Sequence, residues 1–363
     1  MTLQPEGGEG VQSASDFFSK GFALFNLQRY EEALVAYDEA IRLNPDNATA
    51  YYNKGVALQR LARDEEALAA FEQAARLSPH ADFIPHAYAK QGQVLLSLQR
   101  YEKALAVYEQ AIGLAPNAAE FYFFKGNILH TLKQDEKALA AYEQASHLNP
   151  SDPQIHTNKG RMLHSLQRYD EALAAYEEAL RFAFLDETCA AICFAGKADA
   201  LLALGRHEEA LAAYEQALHL NPNVAFYHAQ KGDIFLALRR HEEALAAYEQ
   251  ALHLDPNDAF TSGNKGGVLI NLKRYEEAVM ALEQAMRLGS DQASFSFYKG
   301  CALFVLERFE EALAAYEQAV QLDPTSTTTW YYMGLTLERL GRSQEAERAI
   351  AHVHKLHQGN EKG

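Results

Sequence analysis

The sequence predicts an all-α array of about ten helix-turn-helix units, and three observations carry that reading. The stretch Arg29-Tyr-Glu-Glu-Ala-Leu-Val-Ala-Tyr-Asp-Glu-Ala-Ile-Arg-Leu-Asn-Pro45 returns, lightly edited, as Arg100 to Pro116, Arg206 to Pro222, Arg240 to Pro256 and Arg308 to Pro324. A Lys-Gly step recurs ahead of such stretches, at Lys20-Gly21, Lys54-Gly55, Lys125-Gly126, Lys231-Gly232 and Lys299-Gly300. Within a copy the apolar residues return at three- and four-residue steps, the period of a helix with one buried face. Repetition at a fixed period overrides the two or three domains that 363 residues would otherwise suggest.

With the register set at Ala14, units of 34 residues run 14–47, 48–81, 85–118, 119–152, 153–186, 191–224, 225–258, 259–292, 293–326 and 327–360. Residues 1–13 form a leader expected to be disordered, 82–84 and 187–190 are inserts, and 361–363 are a tail. In the first unit Phe17, Gly21, Leu24 and Leu27 mark one face of a helix roughly 20 Å long. A tight turn is expected over Gln28 to Tyr30. Ala33, Leu34, Tyr37, Ala40, Ile41 and Leu43 then mark a second helix, which Asn44-Pro45 stops, because proline disfavours helical geometry in the residue before it.

Small residues govern the packing. The eighth place is Gly in nine units and Ala198 in the sixth; the twentieth is Ala in all ten, from Ala33 to Ala346. A helix-interior Gly costs about 1 kcal/mol relative to Ala. Its repeated use therefore predicts a packing constraint, with the two helices of a unit crossing closely at these two places.

A large residue, then Gly, Ala, an aromatic, Ala and Pro, spread over 34 residues, resembles the tetratricopeptide repeat. In the fourth unit the matching residues are Tyr122, Gly126, Leu129, Ala138, Tyr142, Ala145 and Pro150, and the resemblance covers residues 14 to about 360. It implies antiparallel helix pairs stacked in a right-handed superhelical solenoid, with first helices lining a concave groove. Phe184 and Ser290 replace the turn proline in units five and eight, and the inserts follow units two and five. Asn53, Asn158 and Asn264 fill one place in units two, five and eight, which suggests a repeated three-unit block. The last unit carries Glu347 and His354 where others are mostly apolar, the polar outer face that a terminal repeat needs.

Composition and motifs exclude more than they propose. Acidic residues outnumber basic ones 49 to 33, for a net charge of −16, which argues against nucleic acid or an anionic membrane as partner. No apolar run reaches the roughly 18 to 20 residues of a membrane span, and the first dozen residues lack the features of a signal peptide; a cytoplasmic location fits. Cys189, Cys193 and Cys301 suit reduced thiols rather than a disulfide framework. No phosphate loop, zinc motif or hydrolase triad is present. His207 and His241, like His219 and His253, match because units six and seven are near-copies; His352, His354 and His357 read as a solvated tail. No catalytic residue, cofactor or metal is expected.

The family geometry points the second, fifth, sixth, ninth, twelfth and thirteenth places of the first helices into the groove. The resulting candidate peptide-binding residues are Phe18, Phe22, Phe25, Tyr52, Asn53, Phe123, Asn127 and His130, then Asn158, Arg161 and His164, then Asn264, Phe297, Phe304 and Tyr331, with Asp199 and Asp233 between. Aromatics gather at both ends and polar groups in the middle. Roughly half of the aromatics are expected to fill core space rather than the groove. His130 and His164 are read as polar groove residues of adjacent units. The clamp by which some family members hold acidic chaperone tails is excluded, because Phe123, Ile192 and Gly196 stand where it needs cations. Likewise, the asparagine ladder of other members survives only at Asn53, Asn158 and Asn264. The expected function is a non-catalytic scaffold that binds an extended peptide or partner helix. A targeting or regulatory subunit of an enzyme complex and a self-associating array are the alternatives.

Overall fold

The computed structural model describes residues 13–78, 82–183, 186–290 and 292–360, with side chains as far as 357, and folds them into twenty α-helices without a strand. Residues 1–12, Phe184 and the tail 361–363 lie outside the described residues. The chain divides into two bodies, Met1–Phe182 and Ala183–Gly363. The first holds α1 (Ala14–Asn26), α2 (Tyr30–Leu43), α3 (Ala48–Arg60), α4 (Asp64–Leu77), α5 (Ile84–Ser97), α6 (Tyr101–Leu114), α7 (Ala119–Thr131), α8 (Asp135–Leu148), α9 (Pro153–Ser165) and α10 (Tyr169–Phe182). The second holds α11 (Glu187–Ala203), α12 (His207–Leu220), α13 (Ala225–Ala237), α14 (His241–Leu254), α15 (Ala259–Asn271), α16 (Tyr275–Arg287), α17 (Ala293–Val305), α18 (Phe309–Leu322), α19 (Thr327–Arg339) and α20 (Ser343–Asn360). Within each body, consecutive odd and even helices pair closely, and each pair packs on the next. The fold is an all-α solenoid.

The turn inside each pair is a short left-handed step that the sequence does not advertise. Gln28, Ala62, Gln99, Lys133, Gln167, Gly205, Arg239, Lys273, Glu307 and Gly341, all at the fifteenth place, have φ between 56° and 73°. At the first of them the Gln28 N–H donates to the Phe25 carbonyl (2.9 Å) and the Arg29 N–H to the Leu24 carbonyl (3.0 Å). This is the Schellman closure of a helix, usually built on glycine. The turn spans Leu27 to Arg29, one residue earlier than expected, and α2 begins at Tyr30. The Arg at the next place then forks onto a Glu three residues on, as in Arg29–Glu32 and Arg168–Glu171.

The eighth-place glycine meets a different partner from the expected alanine. A Cβ on Gly126 would lie 2.6 Å from Tyr142 Cε1, and one on Gly21 2.7 Å from the Tyr37 ring. The twenty-fourth-place aromatic of the second helix packs against the first helix at this place, and Gly is the clearance it needs. Tyr37, Phe71, Tyr108, Tyr248 and Tyr316 are fully buried in this way, as is Tyr214 opposite Ala198, and the twentieth-place alanines are buried too. The lysine before the glycine ties successive pairs together. It reaches the acid at the twenty-fifth place of the preceding unit in Lys54–Asp38 (2.6 Å), Lys125–Glu109 (2.9 Å), Lys231–Glu215 (2.8 Å), Lys265–Glu249 (3.0 Å) and Lys299–Glu283 (2.9 Å).

The irregular junctions resolve individually. Residues 187–190 form the first turn of a lengthened α11, capped by the Asp186 carboxylate on the Cys189 N–H, so that insert is helical rather than loose. At 82–84, Asp82 and Phe83 make a turn and Ile84 opens α5. Where Ser290 replaces proline, Gly289 (φ 90°) ends α16 by the same Schellman pattern, its N–H on the Met286 carbonyl and that of Ser290 on Ala285.

Candidate functional site on the first helices

The second-helix side is filled by repeated packing and ion pairs, so the variable face of the first helices is where a site can form. On it the ninth-place residue meets the hydroxyl of the buried twenty-fourth-place tyrosine. Tyr142 donates to Asn127 Oδ1 (2.7 Å), Tyr248 to Asp233 Oδ1 (2.5 Å), and Tyr214 to Asp199. Asn158 of the following pair also donates to Asn127 Oδ1 (3.5 Å), and Asn264 to Asp233 Oδ1 (3.1 Å). Two equivalent networks result, Tyr142–Asn127–Asn158 in the first body and Tyr248–Asp233–Asn264 in the second. Asn53 has the same place, but the ninth place of the preceding unit is Phe22, whose side chain has no acceptor, and Asn53 turns back onto the Thr49 carbonyl (2.9 Å). The three asparagines therefore do not act alike.

Burial raises the tyrosine pKa values: Tyr142 is pushed up to about 12, and Tyr248 above the usual phenol range, helped by the Asp233 charge. Burial also raises Asp233, against the lowering effect of its hydrogen bonds from Tyr248 and Asn264. These phenols stay protonated donors at neutral pH.

Several of the expected groove residues turn inward. Phe18, Tyr52, Phe123 and Phe297 at the fifth place lean on the buried rings of Tyr37, Phe71, Tyr142 and Tyr316, with centroids 5.9 to 6.2 Å apart. The twelfth-place residues close the turn of their own pair. Phe25 meets Tyr30 edge-on, His164 meets Tyr169, Phe304 meets Phe309, and His130 Nδ1 lies 3.2 Å from Asp135. The two histidines are thus each engaged with a partner in their own unit. Phe22, Arg161 and Tyr331 are exposed.

Helical spacing did not single out Phe226 and Phe260, which are exposed at the second place of α13 and α15, with Ile192 at that place of α11. The signal was available: the same place is Ser15, Thr49, His86, Glu120 and Gln154 in the first five units. The recesses in the surface lie elsewhere, for example beside the Lys125–Glu109 pair, between α6, α7 and α8. Among the described residues, no group of three His, Cys, Asp or Glu side chains could hold a metal ion, and no helix is long and apolar enough to cross a membrane.

Comparison with known families gives the same architecture. A TPR repeat family model matches residues 21–61 and 300–341, and tetratricopeptide repeat models match 89–145 and 196–259, 152–223, 48–81 and 262–290. The chain is a tetratricopeptide repeat protein. Solved tetratricopeptide repeat structures share its fold. The C-terminal part of a repeat protein from Cytophaga hutchinsonii is 17% identical, with a TM-score of 0.58 over 68% of this chain and 98% of that one. A tetratricopeptide repeat protein from Parabacteroides merdae is 16% identical (TM-score 0.52; 70% and 98% covered), and PilF of Pseudomonas aeruginosa 20% identical (TM-score 0.51; 57% and 93%). No curated protein matches the chain. Its tetratricopeptide repeats are those of a protein-interaction scaffold.

Proposed function

We propose that the chain works as a non-catalytic scaffold that holds an extended segment of a partner protein against the exposed faces of its first helices. The observation that carries this is a division of labour. The eighth, twentieth and twenty-fourth places repeat nearly unchanged and are consumed by packing, whereas the first-helix face differs from copy to copy. That face keeps large apolar side chains in water at Phe22, Phe226, Phe260 and Tyr331. Such groups make anchors for a partner's side chains, and hydrogen-bonding side chains such as Arg161 can hold its backbone. Affinity then accumulates over many modest contacts.

The test is capture of partners from lysate of the native cell, with cross-linking, by the parent chain and by a variant carrying Phe22→Ser, Phe226→Ser, Phe260→Ser and Tyr331→Ser. Loss of captured partners at unchanged helicity supports the reading. Undiminished capture sends the interface to the second-helix side and refutes it.

A further inference from the structure

We propose that the face formed by α11, α13 and α15 takes an extended segment of another protein that combines bulky apolar side chains with an arginine or lysine. This rests on the scaffold reading above and names the partner chemistry of one part of it.

Ile192, Phe226 and Phe260 are 44%, 54% and 50% exposed. They occupy one place in three consecutive first helices, and that place brings neighbours together: its occupants in α5 and α7, His86 and Glu120, approach to 3.8 Å. Three large apolar side chains therefore line up along successive helices, a row that water does not favour and a partner's side chains can cover. Behind the row, one helical turn on, stand Ala195 and Ala229. In α1, α3, α7 and α17 that fifth place holds Phe18, Tyr52, Phe123 and Phe297, which cap the buried ring beneath. Ala195 and Ala229 are themselves buried, so the row rests on a closed floor of small side chains.

A turn further along lies an acidic edge. Asp199 and Asp233 both act on Tyr214, and Asp258 adds its charge near Asp233. Both protein hydrogen bonds to Asp233 go to Oδ1. Among the described residues, Oδ2 accepts none. A carboxylate held in place by Tyr248 and Asn264, half-buried and with an oxygen to spare, suits a guanidinium or ammonium group, and its low-dielectric surroundings strengthen that pairing. The nearby lysines Lys231 and Lys265 are engaged elsewhere, with Glu215 and Glu249. Apolar row and acidic edge together define a partner that is apolar on one side and basic on the other.

Panning a displayed library of short random peptides against the immobilised intact chain tests this. Enriched peptides are expected to carry Arg or Lys together with two or more aromatic or aliphatic residues. Fluorescence anisotropy of a labelled winner should weaken about tenfold with Phe226→Ser and, separately, with Asp233→Asn. The conservative Asp233→Glu should bind better than Asp233→Asn, and Val35→Ser, exposed on the second helix α2, should bind as the parent does. Circular dichroism confirms that each variant is folded. Winners that are acidic or uncharged, or binding lost with Phe22→Ser and unmoved by Phe226→Ser, overturn this inference and leave the scaffold reading standing. A library that yields no binder overturns both. Concentration-dependent dimerisation by light scattering, abolished by Phe226→Ser, assigns the row to a second copy of the chain and equally overturns it.

Discussion

A glycine and a ring set the geometry of most helix pairs, and the strength of that constraint depends on what holds the ring. At Gly232 an added Cβ would sit 2.5 Å from Tyr248 Cε1, and the Tyr248 hydroxyl is tied to Asp233, so the ring is held at both ends. At Gly21 the clearance is similar, 2.7 Å to Tyr37, but the buried Tyr37 hydroxyl has no hydrogen-bond partner among the described residues. Overpacking costs about 1 to 3 kcal/mol, and Gly→Ala in a helix returns about 1 kcal/mol. Gly232→Ala should therefore destabilise by up to about 2 kcal/mol and Gly21→Ala by much less, as read from denaturant midpoints. Ala198, which takes the glycine's place opposite Tyr214, shows that a pair can settle around the methyl and limits the cost. The opposite exchange belongs at the fifteenth place. Gln167, with φ at 60°, pays the left-handed penalty that Gly205 and Gly341 avoid. Gln167→Gly is expected to raise stability by up to about 1 kcal/mol, and Gly205→Ala to lower it by a similar amount. Equal midpoints for parent and Gln167→Gly would refute the strain argument.

Between helices, the tyrosine networks decide how one pair meets the next. Tyr37→Phe removes a hydroxyl that burial leaves unsatisfied, so it should be neutral or slightly stabilising. Tyr248→Phe instead strips a donor from the Asp233 carboxylate and should cost about 2 kcal/mol, measured under the same conditions. Asp233 adds a pH signature. Its folded-state pKa is raised by burial above the ordinary 3.8, so the folded form holds the proton more tightly than the unfolded chain. The ionised carboxylate therefore costs stability above the folded pKa, and that cost vanishes as pH falls through the folded value toward 3.8. Asp233→Asn copies the arrangement that Asn127 already makes with Tyr142 and Asn158. It should match or exceed the parent at pH 7, with the advantage shrinking in acid. An advantage that grows in acid would contradict the sign. These networks also show where reading the sequence stops. Helices, pairing and the glycine constraint are legible because each is fixed by a residue type recurring at one place in nearly every copy. Asn53, Asn158 and Asn264 recur too, yet their bonds depend on whether the previous helix offers Phe22, Asn127 or Asp233. The left-handed turn was hidden for a different reason: eight of its ten residues are not the glycine that normally announces it. The exposed row at Ile192, Phe226 and Phe260 was readable in the copy-to-copy differences, since polar residues fill that place in the first five units.

At the scale of the molecule, stability in an array of repeats is a sum of local terms and nearest-neighbour contacts, because each pair touches little beyond its neighbours. In the second body α13 packs chiefly on α14 and against α12, and α14 against α15. The ties between pairs are of the same short reach, as in Lys231–Glu215 and Lys265–Glu249, and partly exposed pairs of this kind contribute about 0 to 1 kcal/mol each. Among the described residues, the close helix contacts within a body join only the same or neighbouring pairs. A local defect should therefore stay local. Gly232→Ala is expected to speed amide hydrogen exchange in α13 and α14, with smaller effects in α12 and α15 and unchanged rates in α18, α19 and α20. The same logic applies to binding: a peptide covering α11, α13 and α15 should slow exchange in those helices and their partners and leave α19 and α20 as they were. A Gly232→Ala variant whose exchange quickens uniformly across 186–360 would show that this body opens as one cooperative unit, and that its pairs are coupled more strongly than their contacts imply.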